Sequence, residues 1–152
     1  ANSYVNDGLM NFIKIQPQSI ELIWPLVKDL IQKPIDFNLG EFNLEDVYNW
    51  LTSGYMHLWI IGNKEEILVA VVTEIVTYPR ETRLRIVLAG GKKNNMNRWF
   101  DIFWDKDSEI HKFAKKNNVK RFEVCGRDGW LRVLAKVGFK KFCTVLTREV
   151  EI

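Results

Sequence analysis

The stretch Val119-Lys-Arg-Phe-Glu-Val-Cys-Gly-Arg-Asp-Gly-Trp-Leu-Arg-Val-Leu-Ala-Lys-Val-Gly-Phe-Lys-Lys-Phe-Cys-Thr-Val-Leu-Thr-Arg-Glu-Val150 decides the fold. Val119 to Val124 alternates apolar and charged residues, the period of a strand. Trp130, Leu131, Val133, Leu134 and Val137 then recur at the spacing of one helical face. Asp128 caps that helix at its start, and Gly138 stops it, because glycine takes the left-handed cap at little cost. Phe139 opens a last strand expected to run to the C-terminus.

Upstream, Phe12 to Ile15 makes a short first strand. An amphipathic helix over Ser19 to Gln32 follows, with Ile20, Ile23, Leu26, Val27, Leu30 and Ile31 on one face. Pro25 predicts a kink or restart inside it, since proline removes a backbone donor. Asn43, with Glu45 and Asp46 behind it, caps a second helix carrying Val47, Trp50 and Leu51 and ending at Gly54. Three strands come next, Met56 to Ile61, Ile67 to Tyr78 and Thr82 to Ala89, joined by turns at Gly62–Glu66 and Pro79–Glu81. A polar loop, Gly90 to Asn95, leads into one long helix, Met96 to Lys116, with Trp99, Phe103, Ile110 and Phe113 or Ala114 inward. Strands joined by short turns are antiparallel. Those at Thr82 and Val119, joined by a helix, lie parallel through a right-handed crossover. The fold class is α/β: a mixed sheet flanked by helices, in a single domain over residues 12–152 behind a leader at 1–11.

The chain has 152 residues, 47% hydrophobic and 27% charged, with a formal charge of +3. That is the composition of a globular protein, large enough to bury a core without disulfide staples. The mild positive charge suits an anionic ligand without demanding nucleic acid. Cys125 and Cys143 match no metal motif and fall in expected strands, so buried, inert thiols are expected. No apolar run approaches the roughly 20 residues that span a bilayer. The first residues lack a basic region followed by an apolar core, so they do not read as a signal peptide, and Met10 is a candidate start.

Glu74 is the one acid in the otherwise apolar run Leu68 to Tyr78. A carboxylate there must be hydrogen-bonded, paired or exposed. It is a candidate general base toward an amine; the alternatives are a solvated face or pairing with Arg85 on the neighbouring strand. Tyr78 is a candidate acid or a packed ring at a strand end. Arg83 and Arg85 share a strand face and, with Arg127, could bind an acidic substrate or simply form cross-strand charge pairs. His57 and His111 lack metal-ligand spacing, so no metal site is expected. Trp24, Trp50, Trp99 and Trp130 fall on helical faces, whereas Trp104 sits off its stripe and is a candidate groove or partner residue. Lys112, Lys115, Lys116, Lys120 and Arg121 form a basic patch without stacking aromatics, which argues against nucleic acid.

The element order from Phe12 onward, the strand–loop–helix unit at Thr82 to Lys116 and the Gly138-Phe139 ending resemble the Gcn5-related N-acetyltransferase (GNAT) superfamily, and its divergent members in tailed phages. The resemblance implies a central twisted sheet with two splayed parallel strands and acetyl-CoA in the cleft between them. Its pyrophosphate would meet backbone amides at the start of the long helix, as unpaired N–H groups there favour an anion. Val87, Leu88, Ala89, Gly90, Gly91, Lys92, Lys93, Asn94, Asn95 and Arg98 are the cofactor-binding residues this implies. The implied activity is acetyl-CoA-dependent N-acylation of a primary amine, on a small molecule or a protein, with Glu74 as base. The chain departs from the family in three places. Its loop offers only Gly90-Gly91, Leu134 stands where many active members have an acidic tyrosine, and Asp128 replaces an asparagine. Those departures fit the rival reading: a catalytically inactive GNAT-fold phage protein that binds a protein partner. The expected location is cytoplasmic, in a host cell or a virion, with no membrane contact.

Overall fold

Two apolar runs build the centre of the sheet. The computed structural model describes residues 11–63, 65–92 and 96–151, without the side chains of 96–99 and 128. In it β2 (Met56–Gly62) and β3 (Ile67–Thr77) pair antiparallel, with Leu58 opposite Val72 and Ile60 opposite Ala70. Both strands are buried on both faces over most of their length, which is why they read as continuous apolar runs rather than alternations. β1 (Asn11–Ile15) flanks β2, and β4 (Thr82–Gly91) flanks β3, both antiparallel. β5 (Arg121–Val124) lies parallel to β4, giving the order β1-β2-β3-β4-β5.

α1 (Ile20–Ile35) and α2 (Leu44–Thr52) cover one face, where Val27, Leu30, Ile31, Val47 and Leu51 meet Leu58, Ile60 and Val72. α3 (Met96–Trp104) and α4 (Glu109–Lys116) cover the other, where Ile102, Phe103 and Ile110 meet Trp59, Val71, Leu84 and Ile86. Full burial of one such aliphatic side chain contributes about 1.5–3 kcal/mol. The expected cap on α2 is present as a reciprocal box: Asp46 N–H donates to Asn43 Oδ1, and Asn43 N–H donates to Asp46 Oδ2. α5 (Asp128–Ala135) gives way to a turn over 136–138 in which Gly138 takes the expected positive φ, +93°, and Leu134 is buried.

The feature that shapes the site is a bulge. Val72 pairs with Leu88 and Thr73 with Ile86, so Val87 is the extra residue of β4. Leu84 and Ile86 belong to the cluster under α3 and α4, but Leu88 belongs to the cluster under α1. The β4–β5 ladder runs from Arg83↔Arg121 to Ile86↔Val124 and stops at that bulge.

Several expectations need correction. The long helix is two, α3 and α4. Asp105 breaks it: its carbonyl accepts from Ser108 N–H and its carboxylate from Asp107 N–H, a local turn that competes with the helix. Gly90 and Gly91 are not loop but the last residues of β4, paired with Ala70 and Val69. α1 is not restarted at Pro25 but runs through it as one helix, and Leu26 is exposed rather than core. Arg127, not Asp128, occupies the cap position of α5. Cys125 and Cys143 are exposed, since one lies past the end of β5 and the other in an unpaired segment. Residues 139–151 form no strand, because they take no partner among the described residues. Of the expected leader, residues 1–10 lie outside the described residues.

Candidate functional site

The ladder between the two parallel strands ends at Ile86 and Val124, so the β5-side edge of β4 from Val87 to Gly91 pairs with no strand among the described residues. The side chain of Leu88 is buried, and those of Val87 and Ala89 are half-buried. α3 begins at Met96, and its first amide groups have no intrahelical partner. Lys92 is held by Glu66, with Nζ to Oε2 at 2.6 Å, and its backbone N–H donates to the Leu68 carbonyl. Lys93, Asn94, Asn95 and the side chain of Arg98 lie outside the described residues. Gly90 has a packing reason: a Cβ there would collide with the Leu30 carbonyl of α1.

On the sheet face shared with α1 and α2, next to the bulge, lies a ladder of charges. Arg85 Nη1 reaches Glu74 Oε1 at 3.2 Å and Arg85 Nε reaches Glu123 Oε2 at 2.6 Å. Arg83 Nη1 reaches Glu123 Oε1 at 2.9 Å and its Nε reaches Glu81, which Arg121 Nε also meets at 2.7 Å. Three guanidiniums therefore face three carboxylates. Hydrogen bonds from Arg121 and Arg83 hold Glu81 down at about 2. Burial pushes Glu123 up, but the hydrogen bonds and charges of Arg83 and Arg85 outweigh it and leave it below the usual carboxylate range.

Arg83, Arg85 and Glu74 are thus brought together, and Tyr78 joins them with its ring 4.6 Å from the Arg83 guanidinium. Arg85 is two residues from Val87, roughly 7 Å of strand; Arg83 is four away, roughly 13 Å. Glu74, opposite Arg85, is therefore near the end of the β4–β5 ladder at the bulge, and Tyr78 is farther from it. Arg127 stands apart, its guanidinium 3.9 Å from the Phe37 ring. Sequence reasoning missed Glu123 and Glu81. The available signal for Glu123 was a lone acid in a strand bordering one with two arginines.

The histidines are structural in their contacts. His57 Nδ1 lies 3.3 Å from Thr73 Oγ1, which also accepts from the buried Trp59 Nε1 at 2.9 Å. Burial, with the Lys14 charge behind it, lowers His57 to about 4. His111 contacts Ser108 Oγ and the rings of Trp104 and Phe122, and burial, with Lys115, lowers it too. Trp104 is no groove residue: Phe100, Phe103, Phe122 and Phe139 surround it. In the basic patch, Lys112 pairs with Glu109 and Arg121 with Glu81. Among the described residues no His, Cys, Asp and Glu cluster could hold a metal, and no helix is long and apolar enough to cross a membrane. A hollow of about 550 Å³ between α1 and α2, lined by Glu21, Trp24, Pro25, Leu44, Glu45 and Tyr48, shares no residue with the ladder.

No family model and no curated protein matches the sequence. The backbone does match solved structures. An aminoglycoside acetyltransferase from an uncultured soil metagenomic sample, solved with sisomicin, superposes with a TM-score of 0.68 at 10% identity, over 97% of this chain and 99% of that one. A predicted acetyltransferase from Clostridium acetobutylicum, solved with acetyl-CoA, gives 0.63 at 15% identity, over 93% and 96%. A GCN5-related N-acetyltransferase from Ralstonia eutropha JMP134 gives 0.65 at 9% identity, over 92% and 98%. With its five-stranded mixed sheet, two parallel strands and flanking helices, the backbone matches these acetyltransferase structures: the chain has the GNAT fold.

Proposed function

We propose that this chain is an acetyl-CoA-dependent N-acyltransferase acting on a primary amine. The observation that carries the reading is the end of the β4–β5 ladder at the Val87 bulge, which leaves β4 backbone groups beside the start of α3. An extended thioester ligand can pair along such an edge while its phosphates meet the helix N-terminus. The solved neighbour that holds acetyl-CoA supports this choice of acyl donor. The neighbour that holds sisomicin supports a small-molecule amine as acceptor.

In this reading the amine attacks the thioester carbonyl directly. Glu74 takes the amine proton, directly or through one water, while Arg85 fixes the carboxylate from the side. Leu134 is buried, so α5 offers no acid at that position, and water protonates the departing thiolate. Isothermal calorimetry with acetyl-CoA, together with thiol release measured against a panel of amines, tests the proposal. Saturable binding and amine-dependent thiol release are expected. No heat at millimolar acetyl-CoA would overturn it.

A further inference from the structure

We propose that the hollow between α1 and α2 binds a free organic ammonium cation, a small molecule that carries a charged nitrogen on an apolar body. The site shares no residue with β4, β5 or the glutamate–arginine ladder, and it does not depend on acyl transfer. Val27, Leu30 and Ile31 of α1 and Val47 and Leu51 of α2 pack into the core beneath the helices. Glu21, Trp24 and Pro25, at i, i+3 and i+4 on α1, are left to line the hollow with Leu44, Glu45 and Tyr48 of α2. Its volume of about 550 Å³ falls within the range of small-molecule sites, about 300–1,000 Å³.

Two kinds of side chain in the lining favour a cation. Trp24 and Tyr48 are half-buried, their ring centroids 5.1 Å apart and their planes 69° apart. Rings set so make two adjoining walls of a corner, and an aromatic face attracts a cation, tryptophan most strongly. Glu21 and Glu45 then bring one carboxylate from each helix. Neither is held by an ion pair or a hydrogen bond among the described residues. By contrast Glu66, Glu74, Glu81 and Glu123 each have an arginine or lysine partner. In a chain of net charge +3, two carboxylates left unpaired beside two rings form a local site of the opposite sign.

The chain does not fill the hollow itself. Lys28 and Lys33 of α1 are not among its lining residues, and the rings that carry a cation elsewhere are Phe113, Tyr78, Phe142 and Phe37 among the described residues. An anion is repelled by the two carboxylates. A bare metal ion gains two carboxylates at most, short of the six to eight oxygens that calcium takes, and makes no use of the apolar surface. A neutral apolar body uses the rings but neither charge. An ammonium on an apolar body uses the whole lining: the rings and carboxylates stabilise its charge, and Pro25 and Leu44 cover the rest.

The test follows the Trp24 indole N–H by NMR on the 152-residue chain, its signal assigned through Trp24→Phe. Choline chloride is exchanged for sodium chloride at constant ionic strength. The quaternary nitrogen of choline cannot be acylated, so the outcome is separate from that of the transferase reading. The signal should shift saturably, with a dissociation constant of about 10 mM or tighter. The tert-butyl analogue of choline, in which carbon replaces the charged nitrogen, should bind at least tenfold more weakly. Glu21→Gln combined with Glu45→Gln keeps the shape of two exposed side chains, so circular dichroism should be retained while choline binding weakens at least tenfold. Each single variant should weaken it severalfold, which keeps the test open if the pair together disturbs the helices. A signal that stays put or drifts without saturation up to about 100 mM choline overturns the proposal. So does an uncharged analogue that binds as tightly as choline, and so do glutamine variants that bind choline unchanged.

Discussion

Arg85 of β4 stands opposite Glu74 of β3 in the ladder and reaches it through Nη1 at 3.2 Å. The same guanidinium holds Glu123 of β5 through Nε at 2.6 Å, so one side chain links three strands just before the parallel pair separates. This explains why an acid is tolerated in the apolar run of β3. It also explains how a parallel ladder of only four residue pairs is held: charge-assisted hydrogen bonds add to its few backbone ones.

Glu74→Gln keeps the shape and a hydrogen-bond acceptor for Arg85 but removes the base. Turnover should fall about 100- to 10,000-fold, the usual contribution of a general base. Acetyl-CoA binding, measured by calorimetry, should be unchanged. Unchanged turnover with a lower melting temperature would assign Glu74 to the ladder alone.

The ladder also sets an acid limb of stability. Glu81 ionises at about 2 in the fold against a reference value of 4.5. Between those values the unfolded chain binds more protons, so stability falls as pH falls through that window and is fully present above it. Glu123 acts in the same direction. Chemical denaturation from pH 6 to pH 2.5 should show this slope, and Glu81→Gln should flatten it. High salt should weaken it too, since Arg121 is largely exposed.

His57 sets a second limb at milder pH. Its folded value of about 4 lies below the reference 6.5. An unfolded imidazole therefore takes its proton first as pH drops. The contribution is present above pH 6.5 and is lost progressively down to 4. His57→Gln should reduce the dependence between pH 6.5 and 4, leaving the part that His111 contributes in the same direction, and keep the lower limb. A wild-type midpoint that is flat across that interval would contradict the burial of a neutral ring against Thr73 and Phe113.

Gly90→Ala tests the seat of α1 on β4. The added methyl meets the Leu30 carbonyl, a backbone atom that cannot rotate away. Destabilisation of about 1–3 kcal/mol, the ordinary cost of overpacking, is expected in urea unfolding. Gly129→Ala is the control, since a Cβ there would meet nothing within 4 Å and the backbone has no positive φ.

Local signals were legible without coordinates. The capping box at Asn43 and Asp46, the positive-φ stop at Gly138, the burial of Leu134 and the parallel relation of β4 and β5 all followed from neighbouring residues or from element order. These are properties of a few residues in a row, and the physics of caps and periodicity acts at that range. The glutamate–arginine ladder was not legible as a whole. Arg85 and Glu123 are 38 residues apart, and only the register of β4 against β5 makes them partners. The bulge at Val87 escaped because both neighbouring residues are apolar, so no change in pattern marks the switch of face. The final segment has the composition of a strand, and composition alone determines that much. Whether it becomes one depends on a neighbouring strand, and hydrogen-bonded partners for a strand are supplied by the tertiary structure, not by the strand itself.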